Sequence, residues 1–314
     1  MKQEAAMKKV MLLAGLIFAF MALGGLAIGA DVPRHPGLTK IAEGIYSYID
    51  AKNPAPSSSF GANAGIIIGK DGIVVVDTLI SSKEAQRFIG DIRAVSDKPI
   101  KYVVNTHEHL DHSLGNADFI RLGAVVVSHT NGRKNAEAAA ATILKKAKSY
   151  GLSDELLAGT TVATASLTFN NRMEIDLGNR KVELIFTGAS HTDGSLLVYV
   201  PDTKTLFAGD ILFANFHPNM RDSDVKSWIS VLDHISTMDV VSIIPGHGPL
   251  STKKDIQEMK QYLTTCDKIG RELSGQGKDV NYIAAEIVKA LPKRQFFEMF
   301  VAGNVAALYP QAAK

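Results

Sequence analysis

With one cysteine, Cys266, in 314 residues, the chain cannot form an internal disulfide in any redox compartment. Cys266 lies in the helical-looking segment Thr252 to Leu273 and reads as a packing residue. Charge of one sign is missing too: 34 Lys and Arg face 32 Asp and Glu, a net +2. Removing residues 1–30, with Lys2, Lys8, Lys9 and Glu4, takes that to about zero. A chain so balanced carries no electrostatic footprint for nucleic acid or an anionic bilayer. No internal repeat or low-complexity tract is found. No Ser-His-Asp order and no activated cysteine offers a covalent nucleophile, and no long linker divides the chain.

The N-terminus has Lys8 and Lys9, then an uncharged stretch from Val10 to Ala30 that ends in Ala27-Ile-Gly-Ala30. This is the order of a charged region, an apolar region and a small-residue cleavage site. Residues 1–30 read as a signal peptide cut after Ala30, with Met7 as an alternative start and an uncleaved anchor as the other reading. The protein is therefore expected to be exported, periplasmic or secreted, with no membrane contact once the signal is removed. With 314 residues and 46% hydrophobic content the chain can bury a large core, and residues 31–314 read as one α/β domain. Residues 252–314 form a helical C-terminal segment broken at Ser274-Gly-Gln-Gly-Lys and Leu291-Pro. This segment is expected to cover a sheet face rather than form a substrate wall.

What is present is concentrated chemistry. His107-Glu-His109-Leu-Asp111-His112 places three imidazoles and the Asp111 carboxylate, beside Glu108, in six residues, just after the apolar run Ile100 to Val104. Neutral nitrogen and anionic oxygen donors suit a borderline cation such as Zn²⁺. In an extended segment, residues i and i+2 face one side, so His107 and His109 can converge. Asp111 and His112 need a turn, which favours two adjacent sub-sites. The competing reading is a polar loop of solvated histidines. Three more candidates share the context: Val182 to Phe186 leads to Gly188 and His191, Thr205 to Phe207 to Gly209 and Asp210, and Val240 to Ile244 to Pro245, Gly246 and His247. Each is a short branched or aromatic run closed by Gly or Pro, a strand ending in a turn. Ligands past the C-terminal ends of strands are what a site built from loops on a rigid sheet requires.

His-x-His-x-Asp-His, a later Gly-x-Ser-His, a Gly-Asp and a Pro-Gly-His-Gly, in that order, resemble the metallo-β-lactamase superfamily over roughly residues 40–250. The resemblance implies an αββα sandwich of two mixed β-sheets with helices on the outer faces. It also implies a first metal on His107, His109 and His191, a second on Asp111, His112 and His247, and Asp210 bridging both. Asp77 matches a family acid that props up the metal loop, or else is an ordinary strand-end residue. The implied cofactors are two divalent ions, zinc first, with iron or manganese as alternatives. Asp111, a ligand to one ion, can also orient a metal-bridged hydroxide and shuttle a proton.

That chemistry suits a zinc-dependent dinuclear hydrolase of small molecules that cleaves an ester, thioester or lactone-like carbonyl bond. Asp210 departs from β-lactamases with Cys or Ser at the matching position and resembles the glyoxalase II type of site. A β-lactamase, or a redox or metal-binding accessory protein (quinoprotein-linked or di-iron), is the alternative. Elsewhere, Ile41 to Ile49 and Ala64 to Val76 read as strands, and Ser82 to Val95, Asn131 to Tyr150 and Asp224 to Ser236 as helices. Phe60 is expected at the site mouth or in an ordinary loop. Phe296, Phe297 and Phe300 are expected in the core, and His129 in a structural or supporting role. His217 fits a substrate contact or an exposed loop residue equally well.

Overall fold

The two N-terminal strand readings each contain a turn. In the computed structural model, which describes residues 37–51 and 54–313, β1 (Thr39–Ala42) turns at Glu43-Gly44 into β2 (Ile45–Ser47). β3 (Gly65–Ile68) likewise turns through Gly69 to Gly72 into β4 (Ile73–Val76). Glycine punctuation outweighs an unbroken apolar pattern at both places. The expected signal peptide lies outside the described residues. Among the described residues, no helix is long and apolar enough to cross a membrane.

The first sheet continues with β5 (Ile100–Val104), β6 (Val125–His129) and β7 (Leu167–Phe169) in sequence order. Its first three ladders are antiparallel and its last three parallel. Between these strands lie α1 (Ser82–Val95), α2 (Leu110–Ser113), α3 (Asn116–Arg121), α4 (Thr130–Ala139), α5 (Ile143–Ser149) and α6 (Asp154–Leu157). The second sheet has the order β12-β11-β10-β9-β8, from β8 (Arg172–Asp176), β9 (Lys181–Ile185), β10 (Leu197–Val200), β11 (Thr205–Phe213) and β12 (Ser242–His247). Only its β11–β12 ladder is parallel, so both sheets are mixed.

Strand alternation sorts the side chains into layers. Val74 and Val76 of β4, with Val104 and Val127, face Leu184, Val198, Phe207 and Ile244 between the sheets. Ile73, Val75, Val103 and Val126 point outward onto Phe88 and Ile92 of α1 and Phe119 of α3. On the far side, Leu197, Leu206 and Ile243 share one core with α7 (Val225–Thr237), α8 (Lys253–Gly275), α9 (Val280–Ala290) and α10 (Phe297–Leu308) through Trp228, Leu232, Ile256, Leu263, Ile283 and Val305. Each such fully buried side chain contributes roughly 1.5–3 kcal/mol. The result is the αββα layering, with the C-terminal helices over the second sheet as expected.

Helix starts follow their caps: Ser81 accepts from the Glu84 N–H before α1, Asp224 from Ser227 before α7, and Thr252 and Asp255 form a capping box before α8. The expected helix over 131–150 is broken instead. The N–H and hydroxyl of Thr142 both donate to the Ala139 carbonyl, at 2.9 and 3.2 Å. This closes a three-residue turn between α4 and α5 in spite of the alanine-rich sequence.

Candidate metal centre

The first anchor of the site is Asp77, just past β4. Its Oδ1 accepts the Thr106 N–H at 2.7 Å, and its Oδ2 accepts the Thr106 hydroxyl at 2.7 Å and lies 2.8 Å from His112 Nδ1. The carboxylate thus ties the start of the His107–His112 segment to its end, the propping role that the resemblance implied rather than that of an ordinary strand-end residue. Asp77 (φ 60°) and Leu79 (φ 67°) are left-handed. Asp tolerates this conformation and Leu does not, so backbone strain is held beside the site.

Two groups of side chains converge at the end of the sandwich. Within each group, His107, His109, His191 and Asp210 in one and Asp111, His112 and His247 in the other, the donor atoms lie within 4.8 Å of one another. Asp210 stands between them. Its Oδ2 is 3.6 Å from His107 Nε2 and 3.3 Å from His191 Nε2, while its Oδ1 is 3.2 Å from His112 Nε2 and 3.5 Å from His247 Nε2. His109 Nδ1 meets His191 Nε2 at 2.9 Å, and Asp111 Oδ2 is 3.4 Å from His247 Nε2. All seven residues read from the sequence are brought together. Asp210 sits within β11 and His247 ends β12 rather than following it.

Fitness for cations can be judged from unsatisfied atoms. His107 Nε2, His112 Nε2 and Asp210 Oδ1 are buried without a hydrogen-bond partner. Orphaned atoms of this kind are costly unless something binds them, and these three point into the convergence. Burial holds His107 well below the ordinary histidine range and His191 down to about 3, so both present neutral lone pairs. Burial would raise Asp210, but the surrounding imidazoles outweigh it and hold the carboxyl well below its usual value. Asp111 is lowered in the same contest, with burial opposed by His112 and His247. His112 is pulled well above its usual value by Asp210, Asp111 and Asp77 against its burial. Anionic oxygens and imidazole nitrogens, buried and under-bonded, fit divalent metal ions.

The outward ring nitrogens are held in turn: His107 Nδ1 by the Thr106 hydroxyl at 3.2 Å, His247 Nδ1 by the Phe60 carbonyl at 3.2 Å and His109 Nε2 by Asp222 at 3.2 Å. The hydrogen bond with His109 lowers Asp222 to about 2. Sequence reasoning missed Asp222, because no motif surrounds it and its partner is remote in the chain. It also missed Asn304 of α10, which fixes the loop carrying Asp222. Asn304 accepts the Met220 N–H at 2.8 Å and donates to the Pro218 carbonyl at 2.9 Å and to His217 Nε2 at 3.0 Å. His217 is accordingly neither a substrate contact nor exposed. It is fully buried, bonds Tyr262 through Nδ1 at 2.7 Å, and is lowered to about 3 by burial and Arg294. His129 is structural: it stacks on Phe186 at 3.9 Å and its Nδ1 accepts from Asn131 at the start of α4.

Two glycines make the convergence possible. Gly209 is left-handed (φ 51°), and a Cβ there would lie 2.5 Å from Thr106 Oγ1. A Cβ on Gly246 would lie 1.9 Å from Asp210 Oδ1. No side chain fits either place.

Above the metal-binding residues opens a cavity of about 420 Å³. His109, Asp111, Asp210 and His247 line it, together with Phe60, Ile143, Tyr150, Phe296, Met299 and Phe300. Phe60 is at the site, as one of its two readings had it. Phe297 is in the core, but Phe296 and Phe300 are wall residues, a correction to the sequence reading. The left-handed backbone of Phe296 (φ 59°), just before α10, places its ring at the cavity. The C-terminal segment therefore both covers a sheet and contributes to the wall.

Residues 59–247, more than half the chain, match the family model of the metallo-beta-lactamase superfamily. The chain is 23% identical over 247 residues to a type 2 metallo-beta-lactamase of Elizabethkingia meningoseptica, covering 77% of this chain and 90% of the relative. It is 27% identical over 183 residues to the alpha subunit of a 2,4-dinitroanisole O-demethylase of Nocardioides sp. (58% and 51% covered). It is 24% identical over 227 residues to a linear primary-alkylsulfatase of Pseudomonas sp. (62% and 43%). The chain thus spans about half or less of the latter two. In fold it is similar to a metallo-beta-lactamase from Pontibacter korlensis (TM-score 0.59, 22% identity, 72% of this chain and 98% of the other). It is also similar to a stereoselective inverting sec-alkylsulfatase from Pseudomonas sp. (0.65, 20%, 88% and 50%). Profile, relatives, layering and the His/Asp groups agree: the chain belongs to the metallo-β-lactamase superfamily, whose members are mostly hydrolytic metalloenzymes.

Proposed function

We propose that this protein is a dinuclear metallohydrolase of small molecules that cleaves an ester, thioester or lactone carbonyl bond. His107, His109 and His191 would hold one ion, Asp111, His112 and His247 the other, and Asp210 both. Residues 1–30 supply its export signal in this reading. The observation that carries it is the division of Asp210, with one carboxylate oxygen toward each histidine group. Bound there, two divalent ions would polarise the carbonyl and lower the pKa of water. Zinc suits the histidines, and two carboxylates extend the set toward iron or manganese. The protein's own part is to hold that charge and move a proton. Asp77 keeps the His112 ring in register, Asp222 does the same for His109, and Asp111 is the carboxylate that accepts the proton of the attacking water and returns it to the leaving group.

Metal analysis tests the site. Purified protein under saturating zinc should carry two equivalents, and His247→Ala should weaken one of them selectively. A wild-type stoichiometry fixed at one would sink the dinuclear reading. Steady-state kinetics test the bond. Asp at position 210 is a harder ligand than a thiolate, and in this reading its two oxygens would draw two ions together over one shared hydroxide, which suits a leaving group that departs easily. Activated esters, thioesters or lactones should therefore be cleaved with kcat/KM at least about tenfold above penicillins and carbapenems, about 1.4 kcal/mol in transition-state binding. A linear alkyl sulfate and 2,4-dinitroanisole, taken from the names of the relatives, complete the panel. Faster turnover of a carbapenem or of the alkyl sulfate would overturn the carbonyl-ester reading.

A further inference from the structure

The cavity wall joins two separate apolar cores. Phe60, Ile143 and Tyr150 pack against the cluster around Ile80, Leu110 and Leu156. Phe296 packs against the helical layer of the second sheet. Between them the side chains are left half-buried, and Met299 is 54% exposed, a gathering of large apolar groups that a closed core would have hidden. Phe60 (φ 53°) and Phe296 (φ 59°) are both left-handed, yet their rings meet edge-on at 6.1 Å. The Phe296 ring meets Phe300 at 5.9 Å. Two bulky residues from distant segments, each held in a strained backbone conformation, thus meet at one cavity, and strain of this kind clusters at ligand clamps. The Phe60 carbonyl is also the partner of His247 Nδ1, so this wall and the metal-binding residues share one piece of backbone. Among the described residues, Lys146 is the one Lys or Arg of the lining. Other polar residues of the lining, among them Glu108, Asn135, Asp193 and Asn219, come from segments other than the one that carries Phe296, Met299 and Phe300, so an apolar group on that wall meets apolar partners.

We infer that the wall formed by Phe60, Phe296, Met299 and Phe300 is an acyl-chain subsite that selects substrates with an apolar acyl group. The inference rests on the hydrolase reading and names the substrate class within it. Each methylene buried in such a wall multiplies affinity by up to about fourfold, whereas a carboxylate at the metal-binding end is common to every acid in a series.

Isothermal titration of the zinc-loaded full-length protein with acetate, butyrate and octanoate, the acid products of acyl cleavage, tests this. Octanoate should bind at least about 20-fold tighter than butyrate. Phe296→Ala and Phe300→Ala should each cut that ratio at least about threefold. Phe296→Leu, which keeps an apolar side chain, should retain most of it, and Val288→Ala on α9, outside the lining, should leave it unchanged. A ratio near one in the wild type, or a full ratio in the Phe296/Phe300 double alanine variant, would overturn the subsite. Turnover of acetyl and octanoyl thioesters separates the two readings. Equal kcat/KM with flat binding overturns the subsite and leaves hydrolysis standing. Graded binding without turnover of any ester supports the subsite and removes the hydrolase.

Discussion

Asp111→Asn should lower kcat by about 10²-fold or more on any ester, thioester or lactone that the wild type cleaves. Asp111 lies in the first turn of α2, and its side chain retains 16% exposure while the neighbouring His112 is fully buried. It therefore faces both the metal-binding residues and the cavity. His112 and His247 hold it ionised against the cost of burial, as a proton acceptor working near neutral pH must be. Asparagine preserves shape and hydrogen bonding but can neither take the proton nor supply the charge. Metal content measured alongside kinetics divides the two effects. A rate loss with two ions retained assigns proton transfer, and a parallel loss of one ion assigns ligation. Activity within a few-fold of wild type with both ions retained would show that Asp111 has been given the wrong role.

Gly246→Ala, which adds one methyl group, should cost a similar factor. The new Cβ would stand 1.9 Å from Asp210 Oδ1 and 2.7 Å from the Asp210 backbone nitrogen. Neither atom can retreat freely, since Gly209 pairs with Pro245 in the β11–β12 ladder and the carboxylate is enclosed by four imidazoles. Overpacking of this kind destabilises by about 1–3 kcal/mol. A displacement of about 1 Å in a charged group at the reacting centre lowers rate on the order of 10²-fold. Gly90→Ala provides the contrast, because Gly90 is exposed on α1 and nothing lies within 4 Å of its Cβ position. It should raise stability by about 0.5–1 kcal/mol without touching activity. Thermal melts, zinc content and kinetics of the pair check both effects. Full metal loading and near-wild-type rates in Gly246→Ala would mean that Asp210 does not need its position between the two histidine groups.

The sequence by itself determined the parts whose causes are local. His107, His109, Asp111 and His112 are legible because a strand end and one short turn suffice to place four donors together. The starts of α1 and α7 are legible because Ser81 and Asp224 cap them. His191 and His247 could be located as residues at or after strand ends, whereas Asp210 lies within β11, and the convergence of the three came only from resemblance to a family. Tertiary structure decided what depends on partners far apart in the chain. Asp222 holds His109 and Asn304 holds the Asp222 loop, and neither leaves a periodic or motif signal. The break between α4 and α5 overrides a strong helical propensity, as a hydroxyl and an N–H claim the same carbonyl. Phe296 and Phe300 look like core residues by composition and become a wall through one left-handed residue. Local propensity and spacing are set by neighbours within a few residues, whereas a cavity is bounded by segments that meet only after the whole chain has packed.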